Sequence, residues 1–253
     1  RDLRMSRGLG DVYKRQMNIK SRKSGFLLTI LSMIITTTGC HSRQEPKVDI
    51  TPHHINLQAD SFYQQAMTLM ESSYDVDSTR KCIRFLDKAL AIDSLNPDYY
   101  GIKAKLLSEM GELDSALHVQ TLAMKKKAIT GEYLFQLGLL QAAKDMYTEA
   151  HESFGQSRAF LQAVLKQYPD SLGAFILAEA ANALYEKEDS LFMRDIDEIR
   201  KRFPERLMEI EMTRRVKPHS LVNQIRNIQI KKDYNIDFDL DSLVEETVKR
   251  VRE

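Results

Sequence analysis

Asn235, Asp237, Asp239, Asp241 and Glu246 lie at the spacing of a calcium loop, where alternating oxygen ligands close around one hard cation. Leu240, however, stands where such a loop needs glycine for its sharp turn. Ile236, Phe238 and Leu240 alternate with the acids, which favours a short extended piece leading into a helix. Ser242 and Glu245 have capping-box spacing and would start that helix. Its apolar stripe would be Leu243, Val244, Thr247, Val248 and Val251. His53 and His54 are adjacent but lack the further ligands a metal needs at fixed geometry. His118 and His151 sit about a repeat apart, with no convergent acid or nucleophile in the sequence. Cys82, within KCIRFLDKAL, falls on the inner side of a helix and reads as a small buried hydrophobe. The sequence contains no HExxH, GxSxG, P-loop or dinucleotide fingerprint. The expectation is therefore no catalytic residue, no metal and no cofactor. An enzyme or metal-binding protein built on the acidic C-terminal segment is the minor alternative.

The remaining cysteine has a different setting. Residues 17–39, MNIKSRKSGFLLTILSMIITTTG, have a basic start at Lys20, Arg22 and Lys23, an apolar stretch from Phe26 to Ile35, and small or polar residues up to Gly39. That is the layout of a secretory signal, and the stretch falls short of the ~20 apolar residues a bilayer span needs. The closing TTGC resembles the lipobox of bacterial lipoproteins, although Thr37 replaces its usual Leu. The resemblance implies that Cys40 is acylated and becomes the first mature residue. Residues 1–16 fit neither a signal nor a domain, and their DVYKRQ ending resembles translated adapter sequence; a non-native leader before Met17 is expected. Residues 40–59, polar and containing Pro46 and Pro52, are expected to be a lipidated N-terminus and flexible tether.

Beyond residue 39 the chain holds 29 Lys and Arg against 34 Asp and Glu, a formal charge of −5 where the whole chain has +1. No concentrated basic face is present, so nucleic acid is not an expected partner. With Cys40 carrying lipid, Cys82 has no partner for an intramolecular disulfide.

From residue 60 the pattern is helical almost throughout. In residues 99–124, Tyr100, Ala104 and Leu107 mark a first helix, Gly111 ends it, and Ala116, Leu117 and Ala123 recur on a second. Small residues at Ala104 and Ala116 permit close antiparallel approach, and Gly111 supplies a permissive turn. Cys82, Ala116 and Ala150 occupy equivalent small positions exactly 34 residues apart. This resembles the tetratricopeptide repeat, a helix–turn–helix unit of about 34 residues. Upstream, a first helix over 61–73 and a longer turn would precede the helix carrying Cys82, Leu86 and Ala89. Downstream, Leu137, Gly138, Tyr147, Ala150 and Phe154 continue the pattern in a unit whose second helix runs to Pro169. A degenerate fourth unit spans 174–187 and 191–203, stopped by Pro204.

The expected fold is all-α: an α-α superhelix, or tetratricopeptide solenoid, of three to four units over 60–204, with a helical capping region over 205–253. Further helices are expected over 206–216 and 221–232, separated by Pro218. Solenoid ends need such caps.

In the tetratricopeptide family the first helix of each repeat lines a concave groove that holds peptides or extended segments. The resemblance places Gln64, Thr68 and Glu71 in the groove from the first unit, and Gly101, Lys105, Ser108 and Glu109 from the second. Phe135, Leu139 and Ala142 follow from the third, with Leu177, Ala181 and Tyr185 from the fourth. The groove would be polar at one end and apolar at the other, and an apolar wall is usually covered or used. Coverage by the chain's own C-terminal helices is the expected alternative to an open site. Carboxylate-clamp repeats need several cations and asparagines here, and Lys105 stands alone.

The implied function is a non-enzymatic protein–protein interaction scaffold in the cell envelope. It would be lipid-anchored at Cys40, face the periplasm and sit at the outer membrane, since His41-Ser42 lacks an inner-membrane retention Asp. The segments YPDS (168–171) and RFPE (202–205) are similar to tetratricopeptide lipoproteins of outer-membrane β-barrel assembly, which makes a role in that assembly the main alternative.

Overall fold

The computed structural model describes residues 53–73 and 75–233, all within one compact unit. Cys40, the segment before it, and residues 234–253 with the acidic run and the capping stripe lie outside the described residues.

Among the described residues there is no strand, and ten α-helices follow in order. They are α1 (Leu57–Ser72), α2 (Val76–Ile92), α3 (Pro97–Glu109), α4 (Leu113–Lys126), α5 (Gly131–Ala143), α6 (Tyr147–Gln167), α7 (Leu172–Glu186), α8 (Asp189–Arg202), α9 (Leu207–Arg214) and α10 (Pro218–Asp233). A short 3₁₀ turn, Pro204–Arg206, precedes α9. The first eight pair as α1–α2, α3–α4, α5–α6 and α7–α8, each pair contacting the next. The architecture is an α-α superhelix of TPR-like helix pairs.

Local chemistry sets the helix ends. Asn56 Oδ1 accepts from the backbone N–H of Gln58 (3.0 Å) and Ala59 (3.2 Å), so α1 starts at Leu57, earlier than its apolar pattern suggests. Asp75 Oδ1 accepts from Ser78 N–H at 2.8 Å and starts α2. Its carboxyl is held well below the usual range, first by hydrogen bonds from Ser73 and Ser78. Asn96 caps α3 with Pro97 as its first residue, where a missing N–H costs nothing. Pro218 is likewise the first residue of α10 and not a separator before a helix at 221.

Close helix approach gives the repeat its form. Cys82, Ala116 and Ala150 are all buried on the second helices of their pairs. The Cys82 thiol donates to the Ala66 carbonyl at 3.4 Å, joining the small positions of α1 and α2. Burial pushes that thiol's pKa up, as an inert core cysteine requires. In the third pair, a Cβ on Gly138 would come within 2.6 Å of the Phe154 ring, so glycine is required for α5 to meet α6. Gly111 has φ +68° and Asp145, 34 residues later, has φ +60°; these left-handed residues reverse the chain after α3 and α5.

A buried polar link crosses from the second pair to the third. Gln120 Nε2 on α4 donates to Gln136 Oε1 on α5 at 2.7 Å, and Gln136 Nε2 donates to the Gly101 carbonyl on α3 at 3.2 Å. The Tyr133 hydroxyl donates to the Gln120 carbonyl beside it.

Candidate interaction groove

Helices α1, α3, α5 and α7 are the first members of their pairs and carry the expected concave face. The last described helix, α10, lies across this face. It packs mainly on α5, with lesser contacts to α3 and α7. Its buried side is Pro218, Leu221, Val222 and Ile225, an apolar stripe of helical spacing. The apolar groove positions Phe135, Leu139, Ala142, Leu177 and Ala181 are all buried. α10 packs on the helices that carry these positions, while the Phe135 ring also meets Phe154 of α6 with centroids 6.0 Å apart, within its own pair.

Three polar attachments fix α10 along the row of turns that follow the first helices. At the fourth pair, His219 Nδ1 and Asp189 Oδ1 are 2.7 Å apart, and His219 N–H donates to the same oxygen at 3.2 Å. At the third, Arg226 donates to the Ala142 carbonyl (3.0 Å), Asp145 Oδ1 (2.7 Å) and the Tyr147 hydroxyl (3.3 Å). At the second, Gln229 Oε1 accepts from Leu113 N–H at 3.3 Å, and Lys232 Nζ lies 3.4 Å from Glu112 Oε1. Successive attachments thus run from the fourth pair back to the second, so α10 retraces the array in reverse. Arg226 and Lys232 also sit near the C-terminal ends of α5 and α3, where the helix dipole favours cations.

The opposite edge is acidic. Asp60, Asp98 and Glu132 lie in the first turns of α1, α3 and α5. Burial pushes the Glu132 carboxyl up, with the Asp98 charge adding to it.

The polar end of the groove behaves differently. Gln64, Thr68 and Glu71 on α1 are exposed, and α10 does not reach their helix among its principal contacts. On α3, Gly101 and Glu109 are half-buried and Ser108 is buried. Lys105, read as the groove's one cation, is buried as well, with its ammonium 3.4 Å from Glu109 Oε1 one turn on. It is engaged within its own helix and not presented as a free clamp. Tyr185 also departs from its expected place. Its ring stacks on His151 of α6 with centroids 4.0 Å apart, and the Arg158 guanidinium lies 4.2 Å from its centroid. Tyr185 therefore serves the junction between the third and fourth pairs, and His151 has a structural partner there.

His53, read as a solvated tether residue, is engaged too. Its Nε2 lies 2.7 Å from Asp93 Oδ2 in the turn between α2 and α3, folding the entering chain back onto the array. His118 is exposed, as expected. Sequence reasoning missed the α10 attachments and also a carboxyl pair, Glu179 of α7 and Asp195 of α8. Desolvation, then the charge and hydrogen bond of Asp195, push Glu179 up to about 7, while Arg194 and Arg158 oppose the shift. Among the described residues, no group of three or more His, Cys, Asp or Glu is arranged to hold a metal ion. No described helix is long and apolar enough to cross a membrane.

No family model and no curated protein matches this chain. Among solved structures, one described as "Crystal structure of MamA" is similar at 15% identity with a TM-score of 0.40, over 57% of this chain and 80% of that one. The TPR-like assignment rests on the chain's own helix pairs and its 34-residue period.

Proposed function

We propose that this protein is a non-enzymatic scaffold that holds a helical or extended segment of a partner protein on the concave face of its array. The observation that carries the reading is α10 itself. A 16-residue amphipathic helix lies across α3, α5 and α7, as an amphipathic ligand lies in a helical groove. The face is built to accept such a segment, and the chain supplies one in cis. The open surface begins at α1, with Gln64, Thr68 and Glu71. A partner engages this polar end directly, and reaches the apolar part only where α10 gives way.

The anchoring belongs to the same proposal. Acylation of Cys40 would hold the array at the periplasmic face of the outer membrane, each buried CH₂ contributing about 0.8 kcal/mol to retention. The signal-like layout of residues 17–39 and the TTGC ending support this.

Photocrosslinking in intact cells tests the groove. A photoreactive residue at Thr68 should capture one discrete partner protein, whereas the same residue at exposed Lys166, at the end of α6, should not. Equal capture from both positions, or none from Thr68, removes the groove as the binding surface. Incorporation of labelled palmitate, lost in Cys40→Ala, tests the anchor separately. Recovery of a β-barrel assembly core as the Thr68 partner would assign the scaffold to outer-membrane protein assembly.

A further inference from the structure

Where the described chain begins, four large aliphatic side chains are exposed to water, three of them in one hollow. Ile55 is 51% exposed, Leu57 84%, Ile92 37% and Leu95 53%. Ile55, Leu57 and Ile92 line one shallow hollow whose rim is polar: His53, His54, Asn56, Gln58 and Asp93. Leu95 adjoins it through its N–H, which donates to Asp93 Oδ1 at 3.2 Å. The hydrogen bond between His53 and Asp93 pins the entering chain against the α2–α3 turn, so the patch is a fixed surface of two segments. A contiguous exposed aliphatic patch marks an interaction site more often than a scatter of single residues does.

We infer that this patch is a membrane-contact surface that seats the first helix pair on the lipid bilayer. The occupant follows from where the chain enters. His53 lies 13 residues after Cys40, a reach of at most about 45 Å even when fully extended. A lipid on Cys40 would therefore keep this end of the array continuously within reach of the interface. Tethering at that distance raises effective concentration enough for a few aliphatic side chains to matter, although alone they would bind lipid weakly. The patch presents Leu and Ile, which enter the acyl boundary readily, and Asp93, the carboxylate that lines it, is bonded to His53. The inference rests on the lipid anchor proposed above.

The sequence contains no tryptophan, so one introduced indole reports its own surroundings. Leu57→Trp would place it in the patch, and Tyr168→Trp at the exposed end of α6 would serve as the control. Each full chain, isolated from membranes, is mixed with or reconstituted into phosphatidylethanolamine–phosphatidylglycerol vesicles carrying brominated acyl chains. Several-fold quenching and a blue shift are expected in the Leu57→Trp chain and not in the control. Ile55→Ser with Ile92→Ser, added to the Leu57→Trp chain, should remove most of the quenching. Equal quenching at both positions, or none in the Leu57→Trp chain, overturns the inference. So does a blue shift that grows with protein concentration in the absence of vesicles, which would assign the patch to a second copy of this chain. Mass spectrometry of the N-terminal fragment reports acylation of Cys40 independently, so a missing anchor is distinguished from a patch that does not touch lipid.

Discussion

Arg226 and Ala142 are joined by a hydrogen bond of 3.0 Å from the guanidinium to the backbone carbonyl, across 84 residues of sequence. The carbonyl lies in the last turn of α5 and already accepts from Asp145 N–H at 3.2 Å, so α10 adds a second, charged donor to the end of a helix it does not belong to. The same guanidinium reaches Asp145, the left-handed residue of the next turn. One side chain thus ties the covering helix to the groove wall and to the repeat's turn.

Arg226→Ala should loosen α10 without dismantling the array. A charge-assisted bond to a carbonyl, on a side chain that is partly solvated, is worth about 1–2 kcal/mol. Amide exchange should accelerate along α10, while α3 and α4 keep their protection. Arg226→Lys should rescue only partly, because one ammonium cannot serve the carbonyl, the carboxylate and the Tyr147 hydroxyl in the same geometry.

Gly111 gives a second, independent test of the same seat. A Cβ there would stand 3.0 Å from Lys232 Cβ and Cδ and 3.2 Å from the Ile228 carbonyl, on a backbone with φ +68°. Gly111→Ala therefore meets two costs: the left-handed conformation, about 1–2 kcal/mol, and displacement of α10's last turns. Chemical denaturation should show a loss of at least this size. Exchange at Ile228 and Lys232 should rise even under conditions where the fold is intact.

The 34-residue period, the helix pairs and the ends at Gly111, Pro169 and Pro204 were legible because each is a local signal: a small residue, a backbone permission or a missing N–H. Cys82, Ala116 and Ala150 needed no knowledge of distant partners to be recognised as packing positions. The covering of the groove was legible only as one of two outcomes. Leu221, Val222 and Ile225 announce an apolar face, yet nothing within α10 says whether it caps the fourth pair or turns back over the third. That choice is made by Arg226 meeting Ala142 and Lys232 meeting Glu112, contacts between segments far apart in sequence. Lys105 and Tyr185 were misplaced for a related reason. A repeat register gives the side of a helix but not the neighbour that claims a long side chain, here Glu109 and His151.

Gln120 and Gln136 form the polar link between the second and third pairs, and their energetics should be non-additive. Gln136→Leu leaves Gln120 Nε2 buried without its acceptor and removes the side-chain donor to the Gly101 carbonyl. A loss of about 1–3 kcal/mol is expected. Gln120→Leu combined with Gln136→Leu should cost less than the two single changes added together, since neither amide is then left behind. A double-mutant cycle by urea denaturation measures the coupling, and strict additivity would show that the two amides act separately.

Glu179 should make stability depend on pH in a defined direction. Its carboxyl is pushed from 4.5 up to about 7 in the folded chain by desolvation and by Asp195. Between those values the native state holds a proton that the unfolded state has released, so stability falls as pH rises through that window and levels off above it. The full shift would correspond to about 3 kcal/mol, and screening at a partly exposed site brings the expected effect nearer 1–2 kcal/mol. Glu179→Gln, which keeps the shape and cannot ionise, should gain this amount relative to the parent at pH 8 and little at pH 4.5. Urea midpoints across that range check it. Parallel pH curves for the two proteins would show that Glu179 stays ionised in the fold.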